Sequence, residues 1–263
     1  MKPVIESLQN PKIKQAIRLR ERRHRTQTGN LIIDGLREIG VALEAGLDLE
    51  SIFMAEETLA SSGVPQHWPS HAIQPVTRRV LDKLAYGQRD SLAVAIARAP
   101  SVKLADLVLP PKPLILVLDR VEKPGNVGAV ARSAATAGAH ALLLIDPVCD
   151  PFNPNAIRAS LGRLFTLPLA VASFAEFSAW QAELGIGLAC ARVDGAASMW
   201  EADLSGPLAI VLGSEACGLG EAWRRDDWPA IRIPMASGAD SLNLSVSAAV
   251  LCYEALRQRT EVN

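Results

Sequence analysis

In the run Gly213-Ser214-Glu215-Ala216-Cys217-Gly218, a carboxylate lies between two glycines, residues that let the backbone come close to a ligand. The run follows Leu208 to Leu212 (LAIVL), a short apolar stretch with the pattern of a buried parallel strand. A second strand, Ile231 to Pro234, leads through Met235 into a loop containing Ser237, Gly238 and Asp240. Ser241-Leu242-Asn243 then opens a long helix, with an apolar face expected on Val246, Val250, Tyr253 and Leu256. Open α/β sheets bind ligands at the carboxyl ends of their strands, so these two loops form the expected site. Ser241 and Asn243 are equally the residue types of ordinary helix N-caps. A third stretch begins with the strand Leu114 to Asp119 (LILVLD), followed by an expected glycine turn, Gly125-Asn126-Val127-Gly128. The helix expected after it, Ala129 to Ala137, is mostly small residues, against which the cation Arg132 stands out. The glycine spacing fits neither the dinucleotide nor the phosphate-loop pattern, which argues against a dinucleotide-dependent oxidoreductase.

Other chemistries find little support. The four cysteines, Cys149, Cys190, Cys217 and Cys252, form no CxxC pair, so neither a zinc site nor a disulfide framework is expected. His67 and His71 are four apart, but Pro69 between them opposes a helix and no further ligand cluster is near, so no metal is expected. No apolar run approaches the ~20 residues of a membrane span, and the start of the chain lacks the apolar core of a signal peptide. No membrane association and a cytoplasmic location are the resulting expectations. A hydrophobic share of 49% with 21% charged residues describes a globular chain with ample core.

The net charge of −1 hides an asymmetry: the first 25 residues hold eight lysines and arginines against two glutamates. Lys12, Lys14, Arg18, Arg22, Arg23 and Arg25 are the candidate nucleic-acid contacts within that segment, because clustered cations supply the sequence-independent part of nucleic-acid affinity. A solvated helix face is the alternative, but few carboxylates lie close enough to relieve the repulsion.

The elements that must position these residues fall into two sets. Leu31 to Ile33, Leu36 to Ala45 and Leu49 to Met54 read as strand, helix, strand, followed by a surface loop at Ser61 to Ser70. A helix at Thr77 to Leu84 and a strand at Ser91 to Ala97 complete a small α/β domain. Pro100, Pro110, Pro111 and Pro113 mark the connection, which places the domains at 1–105 and 106–263. Beyond it, strands at Leu114, Ala141, Pro168, Gly187 and Leu208 alternate with helices at Ala129, Asn155 and Phe174, the pattern of a mostly parallel sheet covered on both faces.

Taken together, three stretches resemble the SpoU/TrmH family of RNA ribose 2′-O-methyltransferases, of the SPOUT class. Asn126 to Ala139 (NVGAVARSAATAGA) resembles its first motif, Leu212 to Leu219 (LGSEACGL) its second, and Ile233-Pro234-Met235 with Ser241 to Val246 (SLNLSV) its third. The resemblance implies a C-terminal α/β domain with a deep trefoil knot, preceded by a small RNA-binding α/β domain related to ribosomal protein L30e. It implies transfer of a methyl group from S-adenosyl-L-methionine to a ribose 2′-hydroxyl of ribosomal or transfer RNA, without a metal, by a homodimer. A non-catalytic RNA-binding protein of the same fold is the alternative, which intact motif residues argue against. Carried over onto this chain, Leu212, Gly213, Ile233, Met235 and Leu242 would contact the cofactor. Asn126, Arg132, Glu215, Ser241 and Asn243 would form the catalytic set, and Arg158 would touch RNA. A guanidinium is a poor base, so the chemistry favours Arg132 as an electrostatic clamp on the substrate. The helix from Leu242 to Arg259 would contribute to the dimer interface.

Overall fold

The computed structural model describes residues 2–61, 64–65, 68–86, 91–236 and 241–261. In chain order the elements are α1 (Pro11–Arg18), α2 (Arg22–Thr28), β1 (Asn30–Asp34), α3 (Leu36–Glu44), β2 (Leu49–Ala55), α4 (Glu56–Ser61), β3 (Ile73–Val76), α5 (Arg78–Leu84) and β4 (Ala93–Arg98). They continue as β5 (Leu114–Asp119), α6 (Pro124–Thr136), β6 (Ala141–Ile145), α7 (Pro154–Ala159), β7 (Leu169–Ala172) and α8 (Phe174–Leu184). The last are β8 (Gly187–Ala191), β9 (Ala197–Ser198), β10 (Leu208–Leu212), β11 (Ala230–Arg232) and α9 (Leu244–Glu261). The chain divides into two compact units, one of residues 1–100 with 152–166, the other of residues 101–151 with 167–263.

The first unit holds a four-stranded sheet in the order β1-β4-β2-β3. β4 runs antiparallel to both of its neighbours, while β2 and β3 are parallel. Two elements here carry weak sequence signals: β3, which contains Pro75, and the short α4. Ile13, Ala16 and Leu19 of the amino-terminal segment pack with Phe53, Val80, Leu81 and Leu84, so the basic segment is built into the core on one side. Two of its arginines hold it there. Arg25 is buried, at 6% exposure, and its guanidinium donates to the carbonyls of Leu19 and Arg20 at 2.8 Å each. Arg20 donates to the carbonyls of Lys83, Leu84 and Ala85, closing the end of α5. The excursion at 152–166 also belongs to this unit: Ala156, Ile157 and Leu164 are buried, and Gly162, in the left-handed region at φ 82°, lies against Val41 of α3. A β-carbon on Gly162 would come within 2.9 Å of that valine.

The second unit is a seven-stranded sheet in the order β7-β6-β5-β10-β8-β11-β9, with every pairing parallel. Strands β5, β6 and β10 are buried along their full length, as expected of apolar runs covered on both faces. One layer buries Phe177, Trp223 and Trp228 against the sheet, with Phe174 set edge-on to Trp223 at 5.0 Å. Elsewhere α6 packs along α9, helped by the small residues of α6.

Two expectations for this unit require correction. Gly125 to Gly128 does not form a turn: α6 starts at Pro124, whose fixed φ suits the first helical position, so Asn126 already stands in the first turn. The buried face of α9 is also not the expected one, on which Val250 and Leu256 are only half-buried. Leu244, Ala248, Leu251, Cys252 and Ala255 are buried, whereas Val246 and Tyr253 are 47% and 49% exposed. Close approach to the small residues of α6 favours alanine and cysteine on the inner side, which a search for the bulkiest apolar stripe overlooks.

Candidate active site

The carboxyl ends of β8, β10 and β11 open into loops that surround a cleft of about 610 Å³. Leu212, Gly213, Ile233, Met235 and Leu242, the five residues expected to contact a cofactor, all line it. Glu215, Ser241 and Asn243 line it as well. Residues 237–240, which include Ser237, Gly238 and Asp240, lie outside the described residues.

The loop after β10 folds back on itself. Ser214 and Gly218 form an isolated antiparallel bridge, and the Ser214 hydroxyl accepts from the backbone N–H of Cys217 at 3.2 Å. This return brings Gly218 against Gly213 so tightly that a β-carbon on Gly213 would lie 2.1 Å from the Gly218 carbonyl carbon and 2.2 Å from Leu219 N. Only glycine permits the closure. Glu215 is thereby pointed back toward α6, where its Oε1 accepts from Nδ2 of Asn126. Its Oε2 is buried and has no hydrogen-bond partner among the described residues. Glu215 and Asn126, 89 positions apart, are thus one unit.

Arg132 does not line the cleft. It is exposed on α6, and no ion pair joins its guanidinium to another described residue. Of the two candidate caps on α9, Asn243 performs the role, accepting through Oδ1 from the N–H of Ser245 at 2.9 Å and from its hydroxyl at 2.7 Å. Ser241 is exposed at the cleft wall and does not cap the helix.

Sequence reasoning overlooked the charged side of the cleft, formed by Lys123, Arg192, Asp194 and Arg224. Arg192 and Asp194 pair through two hydrogen bonds of 2.9 and 2.7 Å, and Arg224 reaches the same carboxylate at 3.3 Å. Hydrogen bonding and charge from Arg192, with the further charge of Arg224, hold the Asp194 carboxyl down at about 2 despite its exposure. The available signal was position: Arg192 immediately follows β8, at the end of the sheet where ligands bind. Burial pushes the Cys190 thiol up to about 11 and the Cys252 thiol up to about 12, whereas Cys217 is exposed on the cleft wall.

Among the candidate RNA contacts, Lys12, Lys14, Arg18, Arg22 and Arg23 are exposed. Arg25 is not available, because its guanidinium is buried on backbone carbonyls. Arg158 is likewise committed: it donates to the carbonyl of Tyr86, lies over the Tyr86 ring at 5.2 Å and pairs with Asp34 at 3.9 Å. It belongs to the first unit as a structural tie. No group of three potential metal ligands occurs among the described residues, and none of their helices is long and apolar enough to cross a membrane.

An all-parallel sheet with a ligand-sized cleft at its carboxyl edge, closed by a glycine-dependent loop, defines an α/β ligand-binding domain of the class expected from the three motifs. Residues 113–253 match the SpoU rRNA Methylase family, and residues 10–95 match the MRM3-like substrate binding domain. The chain belongs to the SpoU family. It is 41% identical to an RNA 2′-O ribose methyltransferase of known crystal structure, with a TM-score of 0.84 over 98% of this chain and 100% of that one. An AdoMet-bound rRNA methyltransferase from Sinorhizobium meliloti is 28% identical, with a TM-score of 0.87 and 97% of each chain covered. The 23S rRNA (uridine(2479)-2′-O)-methyltransferase of Streptomyces viridochromogenes is 29% identical over 92% of this chain and 87% of its own.

Proposed function

We propose that this protein transfers a methyl group from S-adenosyl-L-methionine to a ribose 2′-hydroxyl of ribosomal or transfer RNA, acting in the cytoplasm as a homodimer. The observation that carries the reading is the convergence of the second and third motif loops on one cleft in a chain of the SpoU family, with the first motif joined to it through Asn126 and Glu215. The cleft suits the cofactor. Its volume lies within the roughly 300–1,000 Å³ of small-molecule sites, apolar Leu212, Ile233, Met235 and Leu242 offer a surface for a purine, and Gly213 leaves the backbone bare. When bound, S-adenosylmethionine supplies a methyl already activated by its sulfonium.

The protein's own part is then placement and charge. Arg132, exposed and unpaired among the described residues, holds the RNA and stabilises the ribose oxygen as the hydroxyl proton passes to solvent water. Asn126, fixed by Glu215, is the positioning residue at the start of the same helix. Holding the ribose oxygen in attack geometry is worth roughly 7–11 kcal/mol of barrier in well-oriented reactions. Asn243 sets the start of α9, and Ser241 lines the cleft beside it. A knotted path through the motif loops is part of this proposal, in keeping with the family. RNA capture falls to the first unit, through Lys12, Lys14, Arg18, Arg22 and Arg23. The exposed stripe of Leu242, Val246 and Tyr253 supports a dimer built on α9, since it leaves apolar surface beside the cleft wall uncovered.

The test is incubation of the full chain with methyl-labelled S-adenosylmethionine and deproteinised ribosomal or transfer RNA, followed by digestion to nucleosides. Label on a ribose is expected, with no requirement for added metal. Label on a base, or cofactor binding without transfer to either RNA, would overturn the reading. Sedimentation at micromolar concentration checks the dimer.

A further inference from the structure

The first unit contains a second pocket, of about 350 Å³, formed where α1 passes α2. Lys14, Gln15 and Arg18 of α1 line it, together with Gln9 before that helix, Leu19 after it and His24 of α2. Its electrostatics are one-sided. Lys14 and Arg18 stand one turn apart on the same face, where like charges repel, and among the described residues no carboxylate lines the pocket. The nearby Glu21 carboxylate is 3.8 Å from His24 Nε2 instead. No side-chain hydrogen bond joins Gln9, Lys14, Gln15 or Arg18 to another described residue. The pocket therefore combines two uncompensated cations, two amides able to donate and accept, and the apolar surface of Leu19.

We infer that this pocket receives a single nucleotide of the RNA strand, its phosphate at Lys14 and Arg18 and its base edge at the amides of Gln9 and Gln15. The volume lies at the lower end of small-ligand sites, in keeping with one nucleotide. Proteins read single-stranded RNA by splaying bases into such sites and bonding their edges, which a purely cationic surface cannot do. The inference rests on the RNA reading above and goes further: the basic segment contains a site with a shape, and its charges divide by role. Arg20 and Arg25 build the segment, Lys14 and Arg18 serve the pocket, and Lys12 and Arg23 lie outside it.

The experiment uses the full-length protein and a fluorescent, single-stranded, mixed-sequence RNA of twelve nucleotides carrying 4-thiouridine, with affinity measured across salt. The double variant Lys14→Ala/Arg18→Ala should bind about tenfold or more weakly and lose about 0.7 from the salt slope, the share of the one single-strand phosphate that the two cations hold. Lys12→Ala/Arg23→Ala serves as the charge-matched comparison. The decisive variant is Gln9→Ala/Gln15→Ala, which removes no charge: it should weaken binding about three- to tenfold with an unchanged slope. Photo-crosslinks should include one within residues 9–28 that vanishes in Lys14→Ala/Arg18→Ala. Unchanged affinity in the double glutamine variant, or no crosslink within residues 9–28, overturns the pocket alone. Failure of the wild type to bind the RNA overturns the RNA reading and the pocket with it. Calorimetry with S-adenosylmethionine should give wild-type affinity for all three variants, and a loss there would mean they act through folding.

Discussion

The two units carry their chemistry differently. In the second, the polar residues of the second and third motifs stand in loops at the ends of buried parallel strands, so their place in the chain announces their use. In the first, the cations are spread over α1, α2 and the turn between them, where the same residue type does opposite jobs. Arg25 and Arg20 are bound to backbone carbonyls and hold the segment in place, while Lys14 and Arg18, a few positions away, face an open pocket. A strand-end loop constrains what its residues can do. A short amphipathic helix does not, and only burial tells which cation faces inward.

The largest effect should come from treating the units as separable at the proline-rich connection. Residues 152–166 belong to the first unit and bury Phe152, Ala156, Ile157 and Leu164 there. A chain beginning at Pro113 would leave that segment without the rest of its unit, exposing contiguous apolar surface. It is expected to aggregate, as soluble yield and sedimentation would reveal. A soluble fragment with wild-type cofactor affinity would show that the excursion needs nothing from residues 1–100.

That excursion was illegible for a physical reason. The stretch from Asn155 to Leu161 reads as one more crossover helix of an alternating sheet, and no local pattern tells a helix which sheet to cover. The alternation itself was legible, because apolar runs such as LILVL and LAIVL can be little else than buried strands. The motifs also led to five residues that the fold brings to one cleft, Leu212, Gly213, Ile233, Met235 and Leu242. Residues whose role depends on a distant partner were not legible: Arg158 on Tyr86, Arg25 on Leu19, and the inner face of α9 on the small residues of α6.

Within the second unit, Arg132→Ala should lower methyl transfer by about 100-fold or more, the scale set by removing one preorganised charge donor, while leaving cofactor affinity within twofold. Transfer assays paired with calorimetry decide it. Lost cofactor binding in a folded variant would mean that Arg132 serves the cleft after all. Gly213→Ala tests the loop closure directly. A β-carbon 2.1 Å from backbone cannot be accommodated by a rotamer change, so the loop must open. An overpacking cost of about 1–3 kcal/mol and at least tenfold weaker cofactor binding are expected, read by denaturant titration and calorimetry.

Arg25→Ala sharpens the contrast within the basic segment. Two carbonyls would lose a charged donor, for about 2–3 kcal/mol of stability. The salt slope of RNA binding should stay unchanged, because the buried guanidinium reaches no phosphate. A reduced slope at wild-type stability would return Arg25 to the RNA surface.

The smallest expected effect lies at the opposite end of the parallel sheet from the cleft. His140 is half-buried before β6, and its Nδ1 accepts from the backbone N–H of Leu114 at 3.0 Å. Burial lowers its pKa below the ordinary value of 6.5, and the positive charge of Arg259 lowers it further. The imidazole must also surrender its bond from Leu114 to take a proton on Nδ1. A histidine with a lowered folded pKa is protonated more readily in the unfolded chain, so the unfolded state gains protons as the pH falls through 6.5. His140 should therefore make the protein less stable on going from pH 7.5 to pH 5.5, with the loss ending once the folded form is protonated too. His140→Asn offers an uncharged acceptor in its place. Urea midpoints across this range should fall less steeply for the variant than for the wild type, the difference isolating His140 from the other histidines. Parallel lines would mean that the imidazole gains its proton equally in both states, and that this end of the sheet is insensitive to the charge.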